Sequence, residues 1–420
     1  MSNDSALLRE LGRTNFNFPN EDPYAGMYRV GRYPTSPLVE VPQVKGHLAL
    51  LRAFADLRTT VEGLDQGMVS TAALTHMPED KELRWIWFVG RAVERFERWC
   101  QSLVYKDAET ELAYILPPLD ALMVWHSYML NPSWYREDCS RIPVLGVTGE
   151  LGRHLSDILG PKLEALLESP PTPARISKWI ERTSTAFDPL EAVLTTRSIR
   201  CVICRQTLET PLMAQDGTGY LQQGFLLRCP ASTCQSIVIT KEILALYKLT
   251  GDLVREEPKL QSYLAGTLRT SLSDLNMGRA TKVKHDVMQA PQLREPLGCR
   301  SKSEWRQAIM KAVKYNLKEI RKRMASKIKG GDGRLIRRIF SAYTDDKMFS
   351  VDLVGAVLRQ GRFIAKMQEL HWTASGFFES PEEQVVLKHA IARYHSDDKI
   401  EETQLSSAFD ITCRAWKVSI

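Results

Sequence analysis

Cys201-Val-Ile-Cys204 and Cys229-Pro-Ala-Ser-Thr-Cys234 stand 24 residues apart, and the two pairs hold four of the chain's eight cysteines. Two thiolates a few residues apart can grip one ion from a tight turn, and two such turns complete a tetrahedron. The spacing therefore points to one zinc ion held by four thiolates. Four protein ligands leave no coordination position for water or substrate, so the expected zinc is structural. Two disulfides are the rival pairing, which an oxidising compartment would favour. Within the gap, Asp216-Gly217 and Gly219 read as turn residues, with Tyr220 to Arg228 returning as a strand.

Outside the cysteines, Asp120, Trp125 and His126 are the residues best suited to a ligand pocket or to acid–base work. Six positions of a helix rotate by about 600°, so Asp120 and His126 fall on different faces. A joint role needs a bend or a third partner. The plainer alternative is a capping Asp120, with His126 turned inward and bonded to backbone beside Trp125. The stretch from Lys302 to Arg338 carries 13 Lys or Arg against Glu304, Glu319 and Asp332. Its densest points are Arg321, Lys322 and Arg323, and Arg337 with Arg338. Such density suits the phosphates of RNA or an acidic partner. Only Trp305 and Tyr315 interleave as aromatics in its long helix, too few for a base-stacking platform, and a solvated helix face is the bland alternative. The chain has no P-loop, no GxGxxG and no nucleophile elbow, so no catalytic residue is assigned.

The elements that must position these groups are mostly helical. Leu48, Leu51, Phe54, Leu57 and Val61 form one apolar stripe. A second helix runs from about Asp80 to Cys100, with Leu83, Ile86, Val89, Val93, Phe96 and Cys100 inward and Lys, Arg and Glu on the other side. Asp120 is expected to cap a helix from Ala121 and Ser350 to cap one further on. Ser301 and Glu304 form a capping box opening a long helix to Ile328. The reading gives an irregular segment 1–40, a helical domain 41–187, a zinc-ribbon-like module 188–255, a linker 256–300 and a basic helical domain 301–420. The fold class is mainly α, with two helical halves, the second incomplete, flanking a small β-containing four-cysteine module. A hydrophobic fraction of 44%, a charged fraction of 25% and a net charge of +6 are ordinary for a soluble globular protein. No signal peptide and no membrane-length apolar run is visible, which favours the cytoplasm, or the nucleus, and no membrane partner.

Pro118-Leu-Asp-Ala-Leu-Met-Val-Trp-His126 with Asn131-Pro132 and Tyr135, Phe187-Asp-Pro-Leu-Glu191, Gly217-Thr-Gly-Tyr220 among the cysteines, and Asp352 to Gln360 form a recurring set. In this combination the chain resembles the glycine-rich domain-containing proteins of plants and their relatives in filamentous fungi, over roughly residues 40 to 370. In that family the Asp-x4-Trp-His motif occurs once in each helical half. Here Phe409-Asp-Ile-Thr-Cys-Arg-Ala-Trp416 looks like an altered second copy, with one extra residue between Asp410 and Trp416 and Lys417 in place of His. The glycine-rich tail that names the family is missing. The resemblance implies no established reaction. The expected function is accordingly a non-catalytic, zinc-stabilised interaction or regulatory protein with an unknown protein partner. The alternatives are an RNA-binding regulator using residues 302–338, or an accessory enzyme or small-molecule binder of a fungal biosynthetic pathway.

Overall fold

Helix α2 (Lys81–Ser102) is the axis on which the other elements are laid. It opens on Asp80, whose carboxylate accepts from the Leu83 N–H and so satisfies one free donor of the first turn. Its Trp85, Trp87, Phe88, Val89, Val93, Phe96 and Trp99 are all buried, and so are the charged Arg91, Glu94, Arg95 and Glu97. The one-sided stripe expected for this helix is therefore corrected. Leu83 is exposed, and the supposed solvent side is covered by the cysteine module and by the chain leading into it.

The structure is a computed structural model and describes residues 28–30, 33–35, 40–64, 77–234, 237–255, 262–270, 274–328 and 333–391, except 375, 377, 382, 383, 386, 389 and 390. The altered motif at 409–417 lies outside the described residues. Within the segment expected to be irregular, Tyr28–Val30 and Tyr33–Thr35 pair as an antiparallel hairpin, β1 and β2. Helix α1 (Val41–Glu62) buries the expected stripe of Leu48, Leu51, Phe54, Leu57 and Val61 against α2. Gly46 lets it approach α6, since a Cβ there would stand 2.3 Å from the Gly160 nitrogen. Helices α3 (Leu119–Met129), α4 (Pro132–Arg141), α5 (Pro143–Ile158), α6 (Pro161–Glu168) and α7 (Pro173–Thr183) complete the first half. A proline at the first position starts α4 to α7, where its missing N–H costs nothing.

The cysteine module follows. Strands β3 (Thr196–Arg200) and β4 (Thr207–Pro211) form an antiparallel hairpin whose loop carries Cys201 and Cys204. The expected strand from Tyr220 to Arg228 is reduced to β5 (Leu227–Arg228), which pairs with β6 (Val238–Ile239). Of the rest, the Tyr220 and Leu221 N–H groups donate to the Pro211 and Leu212 carbonyls at the end of β4, and the turn around them is held by the Gln222 side chain, which bonds the backbone of Ala214 and Gly219. Thr240 then caps α8 (Lys241–Val254) through the Ile243 N–H.

Residues 256–300 read in sequence as a linker with some short helix. Their described part is held in place: the buried Glu137 of α4 accepts from the Gly266 and Leu268 N–H groups, and α9 (Met277–Met288) buries Val283 and Val287. The long helix expected from Ser301 to Ile328 is two helices, α10 (Lys302–Ala312) and α11 (Leu317–Ala325). Lys314 and Tyr315 take left-handed conformations between them, with φ of 54° and 52°, and Asn316 caps the second helix. Helices α12 (Gly333–Ser341) and α13 (Leu353–Glu369) follow. Asp352 caps α13, not Ser350, which bonds Asp138 through both its N–H and its hydroxyl.

Helix α13 packs on α1, α2 and α3, and one apolar core runs continuously from Val44 to Ile391. The two helical parts on either side of the cysteine cluster therefore share a core. Among the described residues no helix is long and apolar enough to cross a membrane.

Candidate metal centre and the polar junctions around it

Two turns deliver the four thiols. In the first, the Cys201 N–H donates to the Gln206 carbonyl and the Arg205 N–H to the Cys201 carbonyl, at 2.9 and 3.0 Å, and Arg205 turns back with φ of 65°. In the second, the Cys234 N–H donates to the Ala231 carbonyl at 2.9 Å. The four Sγ atoms all lie within 4.8 Å of one another. Cys204 and Cys229 are 3.6 Å apart, close to the about 3.8 Å that a tetrahedron of metal–sulfur bonds requires. That separation is far beyond a disulfide bond, and all four cysteines are free. The donor set thus fits one metal ion. Cys201, Cys229 and Cys234 are buried and Cys204 is exposed, so the site lies at the module's surface with its turns fixed from below.

The thiols differ in acidity. The Gln206 N–H pulls Cys204 down to about 7. At Cys229 the Ala231 N–H favours the thiolate, but burial and the neighbouring Cys204 and Cys201 outweigh it and raise the thiol to about 12. Binding a cation here requires releasing protons, so affinity must weaken as pH falls.

Behind the cysteines lies a dense ionic junction that sequence reasoning missed. Arg197 of β3 reaches across to α2, 2.6 Å from Glu94 and 2.9 Å from Glu97, and 3.2 Å from Asp346 in the 342–352 loop. Lys347 of the same loop pairs with Glu94 and, at 3.5 Å, with Glu97. The Tyr220 hydroxyl donates to Asp345 and Asp346, and the Lys241 ammonium sits 2.9 Å from the centre of the Tyr220 ring. Burial lowers Lys241 to about 7. At Glu97, burial opposes ionisation, but Lys347 and Arg197 outweigh it and hold the carboxyl below its usual range. Gln307 of α10 also donates to the Val202 carbonyl inside the first cysteine turn. The module is thereby tied to both helical parts at once.

Asp120, Trp125 and His126 are buried on separate partners. Helix α3 begins at Leu119, so Asp120 lies inside its first turn and does not cap it. Its carboxylate meets Arg95 at 2.7 Å, both fully buried. Arg95 also donates to the carbonyls of Ala186 and Phe187 and lies over the Trp179 ring, clamping the approach to the cysteine module. Trp125 donates to the Tyr135 hydroxyl at 2.8 Å. His126 faces the opposite way, with Nε2 3.1 Å from His47 Nε2 and Nδ1 against the Gln360 amide, which in turn meets Ser127. It bonds side chains of α1 and α13, in place of the backbone partner expected for it. Burial lowers His47 to about 3, and burial together with His47 lowers His126 well below its usual value. Gln360 and Met123 also line a separate cavity of about 270 Å³ between α1, α3 and α13.

Of the five cations read as nucleic-acid contacts, Arg321, Lys322, Arg323 and Arg337 are exposed. Arg338 is not available: it is 3.1 Å from the buried Glu137, bonds Ser133 and lies over the Trp134 ring. Lys322 and Arg323 share Glu319 within α11.

No family model, no curated protein and no solved structure matches this chain. The family expectation therefore stands on its motif residues alone.

Proposed function

We propose that the chain is a non-catalytic interaction or regulatory protein whose frame is set by a structural zinc ion on Cys201, Cys204, Cys229 and Cys234. The observation that carries this reading is the convergence of four thiols on a module that is itself tied to both helical parts. Zinc would supply a cross-link between two turns, and a shell of four thiolates keeps no open position for a reacting group. What such a centre contributes is shape, and shape offered to a partner is the reading that fits it. The likeness to the glycine-rich domain-containing proteins agrees, since it implies no reaction. Free thiols and a thiolate metal site suit a reducing compartment, the cytoplasm or the nucleus.

RNA binding is the second reading, favoured by the exposed Arg321, Lys322, Arg323 and Arg337 on α11 and α12. An enzyme or ligand-binding role centred on Asp120 and His126 has less support, because each is engaged elsewhere in sealed core.

The test is a pull-down with metal-loaded, full-length protein, alongside elemental analysis. The proposal expects one zinc per chain and a protein partner retained at high salt. Capture that disappears with salt and with Arg321→Ala/Lys322→Ala/Arg323→Ala would favour RNA instead, because phosphate contacts are strongly salt-dependent. Protein with no stoichiometric metal would sink the zinc assignment.

A further inference from the structure

We propose that the cleft between the cysteine module and the helical parts binds a small polyanion, a ligand bearing two or more phosphate or carboxylate groups. The cleft measures about 610 Å³, within the range of small-molecule sites. Its walls come from α2, β3, α8, α10 and the 342–352 loop.

The argument rests on which charges in those walls are already matched. The acids are consumed internally: Glu94 and Glu97 by Arg197 and Lys347, Asp346 by Arg197, and Asp252 by Arg141 at 3.0 Å. Four cations on the same walls have no carboxylate within ion-pair distance among the described residues: Arg98, Arg200, Lys248 and Arg306. Arg98 donates to the Thr183 carbonyl, Lys248 to those of Ala342 and Phe349, and Arg306 to that of Tyr247, over whose ring it lies. Arg200 is exposed at the end of β3, and its side chain makes no hydrogen bond or ion pair with the described residues.

A cation held away from water without a counter-ion raises the energy of the charged form. Burial accordingly lowers Arg306 to about 10 and lowers Lys248 as well. An anion entering the cleft would relieve that cost, and guanidinium groups can take an oxyanion through two parallel bonds. A single charge would leave most of these cations unmatched, which is why the ligand is read as a polyanion. Arg321, Lys322 and Arg323 of α11 do not line this cleft, so the site is distinct from the basic face.

The test is calorimetric titration of metal-loaded, full-length protein at low salt, with fructose 1,6-bisphosphate as the phosphate probe and tricarballylate as the carboxylate probe. Both chelate zinc weakly, and metal content measured before and after separates binding from metal loss. Saturable binding of at least one probe at a single site, with Kd below about 1 mM, is expected, and the probe preferred identifies the oxyanion. Arg200→Glu and Arg98→Gln should each weaken binding by about tenfold or more, as expected for a lost charge-assisted contact. Arg200 is exposed, so its variant should melt with the wild type, whereas Lys322→Glu/Arg323→Glu should leave Kd unchanged. Absence of saturable heat with both probes, or equal weakening by the α11 variants, overturns the site.

Discussion

Two buried polar junctions connect early helices to late ones, and they solve the same problem in opposite ways. Where β3 and the 342–352 loop meet α2, the groups are formally charged: Glu94 and Glu97 against Arg197 and Lys347. Where α1, α3 and α13 meet, the groups are neutral: His47, His126, Gln360 and Ser127. The charged junction borders a cleft of about 610 Å³ and lies behind the cysteine module. The neutral one packs against the Phe54 ring, 5.6 Å from that of His126, and of its four groups Gln360 alone lines the adjoining cavity of about 270 Å³. Charges survive burial where several opposite partners and nearby solvent share the cost, whereas a sealed apolar site favours groups that can shed their charge. The first junction thus depends on complete pairing and on the module that delivers Arg197, and the second on pH.

The largest effect should come from the metal. If the four thiolates hold zinc as proposed, chelation or Cys201→Ser removes a folding contribution on the order of 10 kcal/mol. The β3–β4 loop then loses the restraint that aims Arg197 at α2. Loss of the module should loosen the charged junction and leave the neutral one, so exchange protection is expected to fall around Glu94 and Lys347 before it falls around His126. Uniform loss of protection would show that the two junctions are not separable. Next comes Arg197→Ala, which strands Glu94 and Glu97 beside a single lysine. Breaking a buried pair this way costs about 3–5 kcal/mol, readable as a shift in the urea midpoint. A shift under about 1 kcal/mol would place the carboxylates in water instead.

Much of this contrast was invisible in the sequence, for a physical reason. The cysteine spacing was legible because metal geometry is local: each pair sits in one turn, and the ion needs only that two turns meet. The stripe of α1 was legible because its buried residues are apolar. Helix α2 misled because Arg91, Glu94, Arg95 and Glu97 look like a solvated face. Only their partners, about 25 to 250 residues away along the chain, make them interior. Periodicity registers hydrophobicity, not pairing, so an inward charge reads as an outward one. The break at Lys314 and Tyr315 was missed likewise, since the apolar stripe runs on through it. Asp120 and His126 were rightly placed on different faces, but their partners Arg95 and His47 lie on other helices.

The smallest effect, and the sharpest separation of the two junctions, is in acid. His47 has a native pKa of about 3 against an ordinary 6.5, so below pH 6.5 the unfolded chain takes up a proton that the native state refuses. Stability is therefore complete above that pH and falls as pH drops toward 3, by at most about 1.4 kcal/mol per pH unit for each such histidine. Glu97 is held below its ordinary value of 4.5, so its contribution is intact above 4.5 and is lost only on further acidification. Between these two limits the charged junction should be silent and the histidines should act. Metal affinity also weakens with acid, but equally in wild type and variant, so the useful quantity is their difference. Urea unfolding of His47→Gln at fixed metal should show a dependence shallower than wild type by up to about 1.4 kcal/mol per pH unit between pH 6.5 and 4.5. The substituted amide can still meet His126, which limits the cost of the variant at neutral pH. Identical slopes would mean that the histidine pair already holds a proton in the native state, and the contrast between a charged and a neutral junction would fail at that point.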